Sequence, residues 1–397
     1  MILKVVNYLV LGFINLYSLY FFITGLGYFK KKKNEQIKNE KKNHFTILLP
    51  ARNEENVISN LIDSLKKQDY DNYDIYVVLN NSTDNTLDVV KKLGVNIIEC
   101  KNKITCKGDA LKEALEVLKN QKTDAYAIFD SDNVVSSNFL SEMNKTLNNG
   151  YSLAQGFRDI KNTQNWLSNS YGIYFYIENM FYNEARNNIG KTAALSGTGF
   201  VVKKEVIEKI GYDVKTLTED VEFTTFCILN DIKIGYAKKA IFFDEHPSEL
   251  KISYKQRKRW SKGALQCLNL YFKELFANFS KTKNISCLDM MFVHFAPFLQ
   301  LITLIPFILM PIIYYKNIEN IIIFSIIGSI VGYLAQVLLA FFVVKVNKKN
   351  VKNFLSGIVL FPLFILTWLP INFVILLKKE ITWEHIEHKS SIKIEEM

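Results

Sequence analysis

Hydrophobic and polar positions are segregated along this chain on two length scales. On the longer scale, no Asp, Glu, Lys or Arg occurs in 5–29, 290–315, 320–344 or 353–377. Each run exceeds the roughly 20 apolar residues needed to cross a hydrocarbon core, so each predicts a membrane span. On the shorter scale, the region between the first two runs alternates strand-like and helix-like patterns. Residues 44–50 (HFTILLP) predict a buried strand ending in a turn. In 54–67, Val57, Ile58, Leu61, Ile62 and Leu65 recur at helical spacing. A strand over 73–79 closes at Asn80, Asn81 and Ser82; a helix over 83–93, a short strand over 96–100 and a helix over 108–120 follow. The strand over 125–129 then runs straight into Asp130-Ser131-Asp132. Repeated strand–helix units predict an α/β domain with a mostly parallel sheet covered on both faces. Ligands of such sheets bind beyond the carboxyl ends of the strands. Arg52, Asn53, Asn80, Asp84, Asp130 and Asp132 should therefore share one rim.

Composition changes this picture by exclusion. The 49 Lys and Arg and 39 Asp and Glu all fall outside the four runs, which excludes a wholly soluble, disordered, collagen-like or coiled-coil chain. The first run is too long for a signal peptide and no small-residue cleavage site follows it. Lys30 to Lys33, then Lys38, Lys41 and Lys42 follow instead, and such a cluster marks the cytoplasmic side. The run reads as an anchor with its N-terminus outside, and residues 30 to about 288 as cytoplasmic. Lys345, Lys348, Lys349 and Lys352 put the loop before the fourth run inside as well. A fourth full crossing would leave the tail outside. Pro297, Pro306, Pro311, Pro362 and Pro370 permit broken or re-entrant helices. The net charge of +10 suits anionic membrane lipids, with no nucleic-acid partner expected. Five cysteines without metal-ligand spacing give neither a disulfide framework nor a zinc site. The divisions are an anchor (1–29), a basic linker (30–44), a soluble domain (45–264), an amphipathic interfacial region (265–289), a membrane region (290–377) and a tail (378–397).

Several short constellations carry candidate chemistry. Asp130 and Asp132 at a strand end can face one hard cation, Mg²⁺ or Mn²⁺, although Asp and Ser are also ordinary turn formers. Thr218-Glu219-Asp220 opens a helix: Thr218 as N-cap with acids on the dipole, or Asp220 as a general base held by the helix start. Gln256-Arg257-Lys258-Arg259-Trp260 lies in a basic stretch before apolar residues, as in a membrane-surface helix. Its guanidinium groups can equally clamp a diphosphate while Trp260 stacks on a sugar. Lys107 at a helix start suits phosphate. Ser196-Gly197-Thr198-Gly199 allows close backbone approach or is a tight turn. His246 beside Asp244 and Glu245 reads as a surface-loop histidine.

The order of these motifs is more specific than any one of them. P-A-R-N-E at 50–54, N-S-T-D at 81–84, K-G-x-A-L at 107–111, D-S-D at 130–132, G-T-G at 197–199, T-E-D at 218–220 and Q-R-K-R-W at 256–260 follow one another. That series resembles the membrane-embedded family 2 glycosyltransferases, the group of cellulose, hyaluronan, chitin and poly-β-1,6-N-acetylglucosamine synthases. The resemblance runs from about 45 to 263, and the flanking spans and Trp383…His388 also fit.

The resemblance implies a GT-A fold over 45–264, a nucleotide-sugar donor, usually UDP-linked, and a divalent metal. Asp130 and Asp132 would contact the donor diphosphate and the metal, with Lys107 close by. Pro50, Arg52, Asn53, Glu54 and Asn80 would lie near the base. Asp220 would be the catalytic base, beside Thr218 and Glu219. Gly197, Thr198 and Gly199 would shape the acceptor end, and Gln256, Arg257, Arg259 and Trp260 would bridge the leaving diphosphate and the growing chain. The family commonly has Asp-Asp-Gly before S-T-D, where this chain has Leu79-Asn80-Asn81; Asn80 keeps a hydrogen bond to a base but no charge. Q-x-x-R-W is associated with processive synthesis, so the implied function is extension and export of a β-linked polysaccharide at the cell membrane, with an accessory subunit possible. The alternatives are single transfer to a lipid acceptor, or a transporter or receptor with a nucleotide-sugar-binding domain. In the family the Trp/His tail lies near the catalytic side, which conflicts with four full crossings and points to one re-entrant or interfacial run.

Overall fold

The computed structural model describes residues 1–30, 40–377 and 392–396. Lys31, Lys32, Lys33, Lys38 and the Trp383…His388 stretch lie outside the described residues. The chain opens with helix α1 (Ile2–Gly25). The soluble part then runs β1 (Phe45–Ala51), α2 (Ile58–Lys66), β2 (Tyr73–Leu79), α3 (Thr86–Leu93), β3 (Asn96–Glu99), α4 (Lys107–Val117) and β4 (Ala125–Ile128). Each of these matches an element that the apolar periodicity predicts, with ends shifted by up to a few residues. Beyond β4 come β5 (Val134–Val135), α5 (Phe139–Asn148), β6 (Leu153–Ile160) and α6 (Trp166–Ile177). Helix α6 continues as π-helix over Glu178–Glu184 into α7 (Ala185–Asn188). β7 (Phe200–Lys203), α8 (Lys204–Ile210), α9 (Glu219–Leu229) and β8 (Ile234–Asp244) complete the domain.

The eight strands form one sheet in the order β3-β2-β1-β4-β7-β6-β8-β5. The β3–β2, β2–β1, β1–β4 and β6–β8 pairs are parallel. The β4–β7, β7–β6 and β8–β5 pairs are antiparallel, so the sheet is mixed, with parallel pairing in the half that the sequence pattern covers. Side chains alternate across it. Phe45, Ile47 and Leu49 of β1 join a core with α2 and α5, while Leu48 joins a second core with α4 and α6.

After β8 the chain forms a 33-residue helix, α10 (Leu250–Thr282), then α11 (Ile285–Ile302), α12 (Leu304–Ile313), α13 (Ile318–Val346), α14 (Val351–Leu366) and α15 (Trp368–Leu377). Four stretches are long and apolar enough to cross a membrane: Ile2–Phe29, Ile285–Ile313, Tyr315–Val346 and Val351–Leu377. The second and fourth are interrupted at Thr303 and Thr367, between α11 and α12 and between α14 and α15.

Two of the sequence-derived boundaries move. Residues 264 and 265 both lie inside α10, so the basic motif and the amphipathic segment are one rigid element. The segment is two-faced, with Leu275 buried against Ile228 and Met290, and Leu270, Phe272 and Phe276 exposed. The membrane region is not a separate body either. Val343 and Val344 of α13 and Phe354, Ile358, Phe361 and Phe364 of α14 belong to the same core as α4 and α6. A Cβ on Gly357 would stand 2.5 Å from the Cβ of Asn169, so α14 lies directly against α6.

Candidate active site

A cavity of about 850 Å³ opens at the carboxyl ends of β1, β2 and β4 and extends toward the membrane helices. Its volume is at the upper end of the roughly 300–1,000 Å³ of small-molecule sites. Arg52, Asn80, Asp130 and Asp132 line it as the strand-end argument predicts, with Pro50 and Glu54 beside them and Lys107 from the start of α4; Asn53 and Asp84 of the predicted rim do not line it. Gly197, Thr218, Glu219, Asp220, Gln256, Arg259 and Trp260 line it from the other side.

The loop after β4 is held by its own polar atoms. The Asp130 N–H donates to Thr198 Oγ1 at 2.8 Å, and Ser131 Oγ donates to Pro50 O at 2.8 Å. Thr198 also donates to Asn133. Thr198 is thus a brace beneath the Asp130 loop; neither it nor Gly199 lines the cavity. Gly199 has φ +61° and a Cβ there would fall 2.2 Å from the Phe242 ring. Asn53 has φ +58° and accepts from the Thr83 N–H at 2.7 Å. Asp84 accepts from Thr86 Oγ1 at 2.6 Å and from the Glu55 N–H at 3.2 Å. Asn53 and the N-S-T-D motif therefore lock two strand-end turns together and leave the cavity wall to Arg52, Glu54 and Asn80.

Lys107 reaches into the cavity from the start of α4 and donates to Asp130 Oδ1 and, at 2.6 Å, to Gly197 O. Burial disfavours its charge, but Asp130, Glu219 and Asp220 outweigh that and raise its pKa. An ammonium seated on Asp130 beside a second carboxylate, Asp132, indicates a place for positive charge. Two carboxylates with room for water and phosphate oxygens form the hard donor set that Mg²⁺ or Mn²⁺ takes. The residues present fit such a metal.

Thr218 occupies the N-cap position of α9 but makes no side-chain cap bond. Instead it packs on α10, where a Cβ at Gly263 would lie 2.3 Å from Thr218 Oγ1. The Leu217 N–H donates to Gln266 Oε1 at 2.9 Å, which ties the same turn to α10. Asp220 sits against Gly197, whose φ is +84° and whose added Cβ would approach Asp220 Oδ2 to 3.3 Å. The G-T-G and T-E-D motifs thus meet at one carboxylate. Burial raises the Asp220 pKa, with Arg259, Arg158 and Lys107 opposing. Burial and then repulsion from Asp220 raise that of Glu219.

The Q-R-K-R-W motif divides by helix face. Gln256, Arg259 and Trp260 face the cavity. Arg257 does not. It is 2 % exposed and donates through Nη1 to Thr367 Oγ1 at 2.7 Å and Phe364 O at 3.2 Å. Its guanidinium lies over the Phe364 and Trp368 rings, so a diphosphate-clamping role for Arg257 is corrected to a tie between α10 and the α14–α15 break. Residues on one helix separated by a single position point apart, which splits Arg257 from Arg259.

The cavity also contains residues that the sequence reading did not single out. Arg158 and Glu178 line it, as do Tyr17 and Phe21 of α1, Val293 of α11 and Trp368 of α15. His246 corrects the surface-loop reading: it is 3 % exposed, borders the cavity, and lies nearly parallel to the Tyr171 and Phe175 rings with centroids 5.6 and 5.0 Å away. The Pro247 that follows it and the apolar strand before it were the available signals; the aromatic partners come from α6 and have no sequence mark.

Residues 42–263 match the profile described as glycosyltransferase-like family 2. Among curated relatives, the probable glycosyltransferase YdaM of Bacillus subtilis is 28 % identical over 242 residues, 57 % of this chain and 58 % of that protein. The poly-β-1,6-N-acetyl-D-glucosamine synthase of Staphylococcus aureus is 24 % identical over 281 residues, 69 % of this chain and 66 % of that one. The β-monoglucosyldiacylglycerol synthase of Synechocystis is 24 % identical over 228 residues, 55 % of this chain and 47 % of that one. The chain thus spans about half to two thirds of these relatives. A mannosyltransferase from Pyrobaculum calidifontis, solved with GDP-mannose and Mn²⁺, superposes with a TM-score of 0.54 at 15 % identity, covering 74 % of this chain and 86 % of that one. The mixed eight-stranded sheet is therefore a GT-A arrangement flanked by apolar helices. With more than half of its length matched by the family profile, this chain belongs to the family 2 glycosyltransferases.

Proposed function

We propose that the protein is an inverting glycosyltransferase that extends a β-linked polysaccharide from a nucleotide-sugar donor, UDP-linked, at the cytoplasmic face of the cell membrane. The observation that carries this reading is the single cavity shared by Asp130, Asp132, Lys107, Asp220, Gln256 and Trp260, continuous with side chains of α1, α11 and α15. A donor diphosphate placed at Asp130 and Lys107 leaves the sugar between that end and Asp220. An acceptor hydroxyl then attacks the anomeric carbon in line. The new C–O bond forms as the bond to the diphosphate oxygen breaks, Asp220 takes the hydroxyl proton, and the nucleoside diphosphate departs. Attack opposite the leaving group converts an α-linked donor into a β-linked product. Positioning and fixed charge supply most of the acceleration such a step needs. A divalent metal held by Asp130 and Asp132 would supply charge neutralisation to the leaving diphosphate. Arg259 and Lys107 add fixed positive charge facing Glu219 and Asp220.

A specific observation also favours the second reading, one-step transfer to a lipid acceptor. The cavity reaches α1 and α11 directly, through Tyr17, Phe21, Val293 and Pro297, which gives a lipid acceptor apolar walls. Product length separates the two. Purified membranes incubated with radiolabelled UDP-glucose, UDP-N-acetylglucosamine and UDP-glucuronate should yield a ladder or polymer from one donor. A product carrying one sugar on a lipid would replace the polymer reading. Asp220→Asn should reduce transfer by about 10²–10⁴-fold, the usual share of a general base, while UDP binding measured by calorimetry is retained.

A further inference from the structure

The environment of His246 gives it a role that the family motifs leave unassigned. The ring is 3 % exposed and held in a stack, at 22° to Tyr171 and 20° to Phe175. Its backbone is clamped in both directions by Asn162, which accepts from the His246 N–H and donates to the His246 carbonyl, each at 2.8 Å. Ring position and tilt are therefore fixed before any ligand arrives. Nδ1 faces the Asp244 carboxylate at 3.7 Å. Nε2 is buried and, among the described residues, has no hydrogen-bond partner. A buried polar atom left unpaired is costly, so an unpaired nitrogen on the wall of a substrate cavity is a site that a ligand completes. Burial and the neighbouring Arg158 charge, against Asp132, hold the imidazole neutral, with its pKa pushed down to about 3. With its proton on Nδ1, toward Asp244, Nε2 presents a lone pair.

A second wall of the cavity is complementary. Trp260, Trp368 and Tyr174 form a row of near-parallel rings, with Trp368 centred 6.3 Å from each neighbour. Trp368 Nε1 and Gln256 Oε1 are likewise buried and unpaired. Aromatic faces bordered by unpaired donors and acceptors suit a pyranose, which presents C–H groups on its face and hydroxyls at its edge. An acyl or prenyl chain would leave all three polar atoms unpaired.

We propose that His246 is a specificity-determining residue whose Nε2 accepts a hydrogen bond from a pyranose hydroxyl in the transfer site. This rests on the glycosyltransferase reading above. The hydroxyl belongs to the donor sugar or to the terminal sugar of the acceptor, and kinetics distinguish the two. The test compares His246→Phe, which keeps the aromatic stack and removes the acceptor, with His246→Gln, which keeps a polar atom. UDP binding by calorimetry serves as the control for folding. His246→Phe should lower kcat/KM at least tenfold with UDP affinity within twofold, and His246→Gln should recover part of the loss. A rise in KM for the nucleotide sugar, with slower donor hydrolysis in the absence of acceptor, assigns the hydroxyl to the donor. A rise confined to the KM for an oligosaccharide acceptor assigns it to the acceptor. His246→Phe within twofold of the unsubstituted enzyme in every parameter overturns the assignment while leaving the glycosyltransferase reading intact. Absence of transfer by the unsubstituted enzyme overturns both.

Discussion

At the scale of single residues, the cavity concentrates carboxyls whose charge is costly where they stand. Burial raises Asp220, and burial with repulsion from Asp220 raises Glu219. A base must be deprotonated to receive the acceptor proton, so activity is present above the folded-state pKa and lost as pH falls through it. The acid limb of the kcat/KM profile should therefore lie above the roughly 4 of an ordinary carboxyl. A pH–rate profile with the natural donor checks this, and a limb at or below about 4 would contradict it. Gly197 belongs to the same argument. Its φ of +84° strains any L side chain, and an added Cβ 3.3 Å from Asp220 Oδ2 would push that carboxylate out of place. Gly197→Ala should cost about 1–2 kcal/mol in backbone conformation alone and lower kcat more than it raises the KM for donor.

At the scale of elements, function depends on how helices are pinned to the sheet domain. Arg186 of α7 is buried and makes a bidentate pair with Asp289 of α11 at 2.6 and 2.7 Å, and Tyr20 of α1 donates to the same carboxylate at 2.9 Å. One carboxylate thus joins the anchor, the catalytic domain and the second span. Asp289→Ala leaves the guanidinium buried without its partner, a change that typically costs 3–5 kcal/mol. Thermal unfolding in detergent should register that loss, and an unchanged midpoint would show that the pair is not what holds the three helices. On the other side of the cavity, Gly263 lets α10 close on Thr218, while Arg257 ties α10 to the α14–α15 break. The turn of α10 that brings Gln256 and Trp260 to the cavity wall is therefore set by contacts with α9 on one side and the α14–α15 break on the other.

For the whole molecule, the placement of the fourth run decides the topology. Its start packs on α6 at Gly357, and its middle meets Arg257 and Trp260 through Thr367 and Trp368. The loop before it reaches the sheet through Lys349 and Asp159 at 2.6 Å. Glu395, far along the tail, pairs with Lys67 of α2. Contacts with the sheet domain at the start and middle of this run, and again at Glu395, are those expected of a re-entrant run. A reporter fused after Met397 should therefore fall on the side of the catalytic domain, and a cysteine placed at Lys316 should be labelled from the opposite side. Labelling of both positions from one side would contradict this arrangement.

Periodicity along the chain was sufficient for β1 to β4 and their helices, and for the four apolar stretches, because those patterns depend on neighbours a few residues apart. The motif order was likewise sufficient for the family and for most of the cavity wall: Arg52, Asn80, Lys107, Asp130, Asp132 and Asp220 lie where their strand ends and helix starts put them, and Trp260 joins them from within α10. Long-range packing determined the rest. Arg257 leaves the site because its helix face meets Phe364 and Thr367, more than 100 residues away in sequence. His246 enters it because rings from α6 enclose what reads as a loop histidine. A charge-free run declares that it can enter a membrane, but only its contacts with α6 and α10 decide whether it passes through. Local pattern fixes which surfaces must be covered; which partner covers each is settled when distant elements meet.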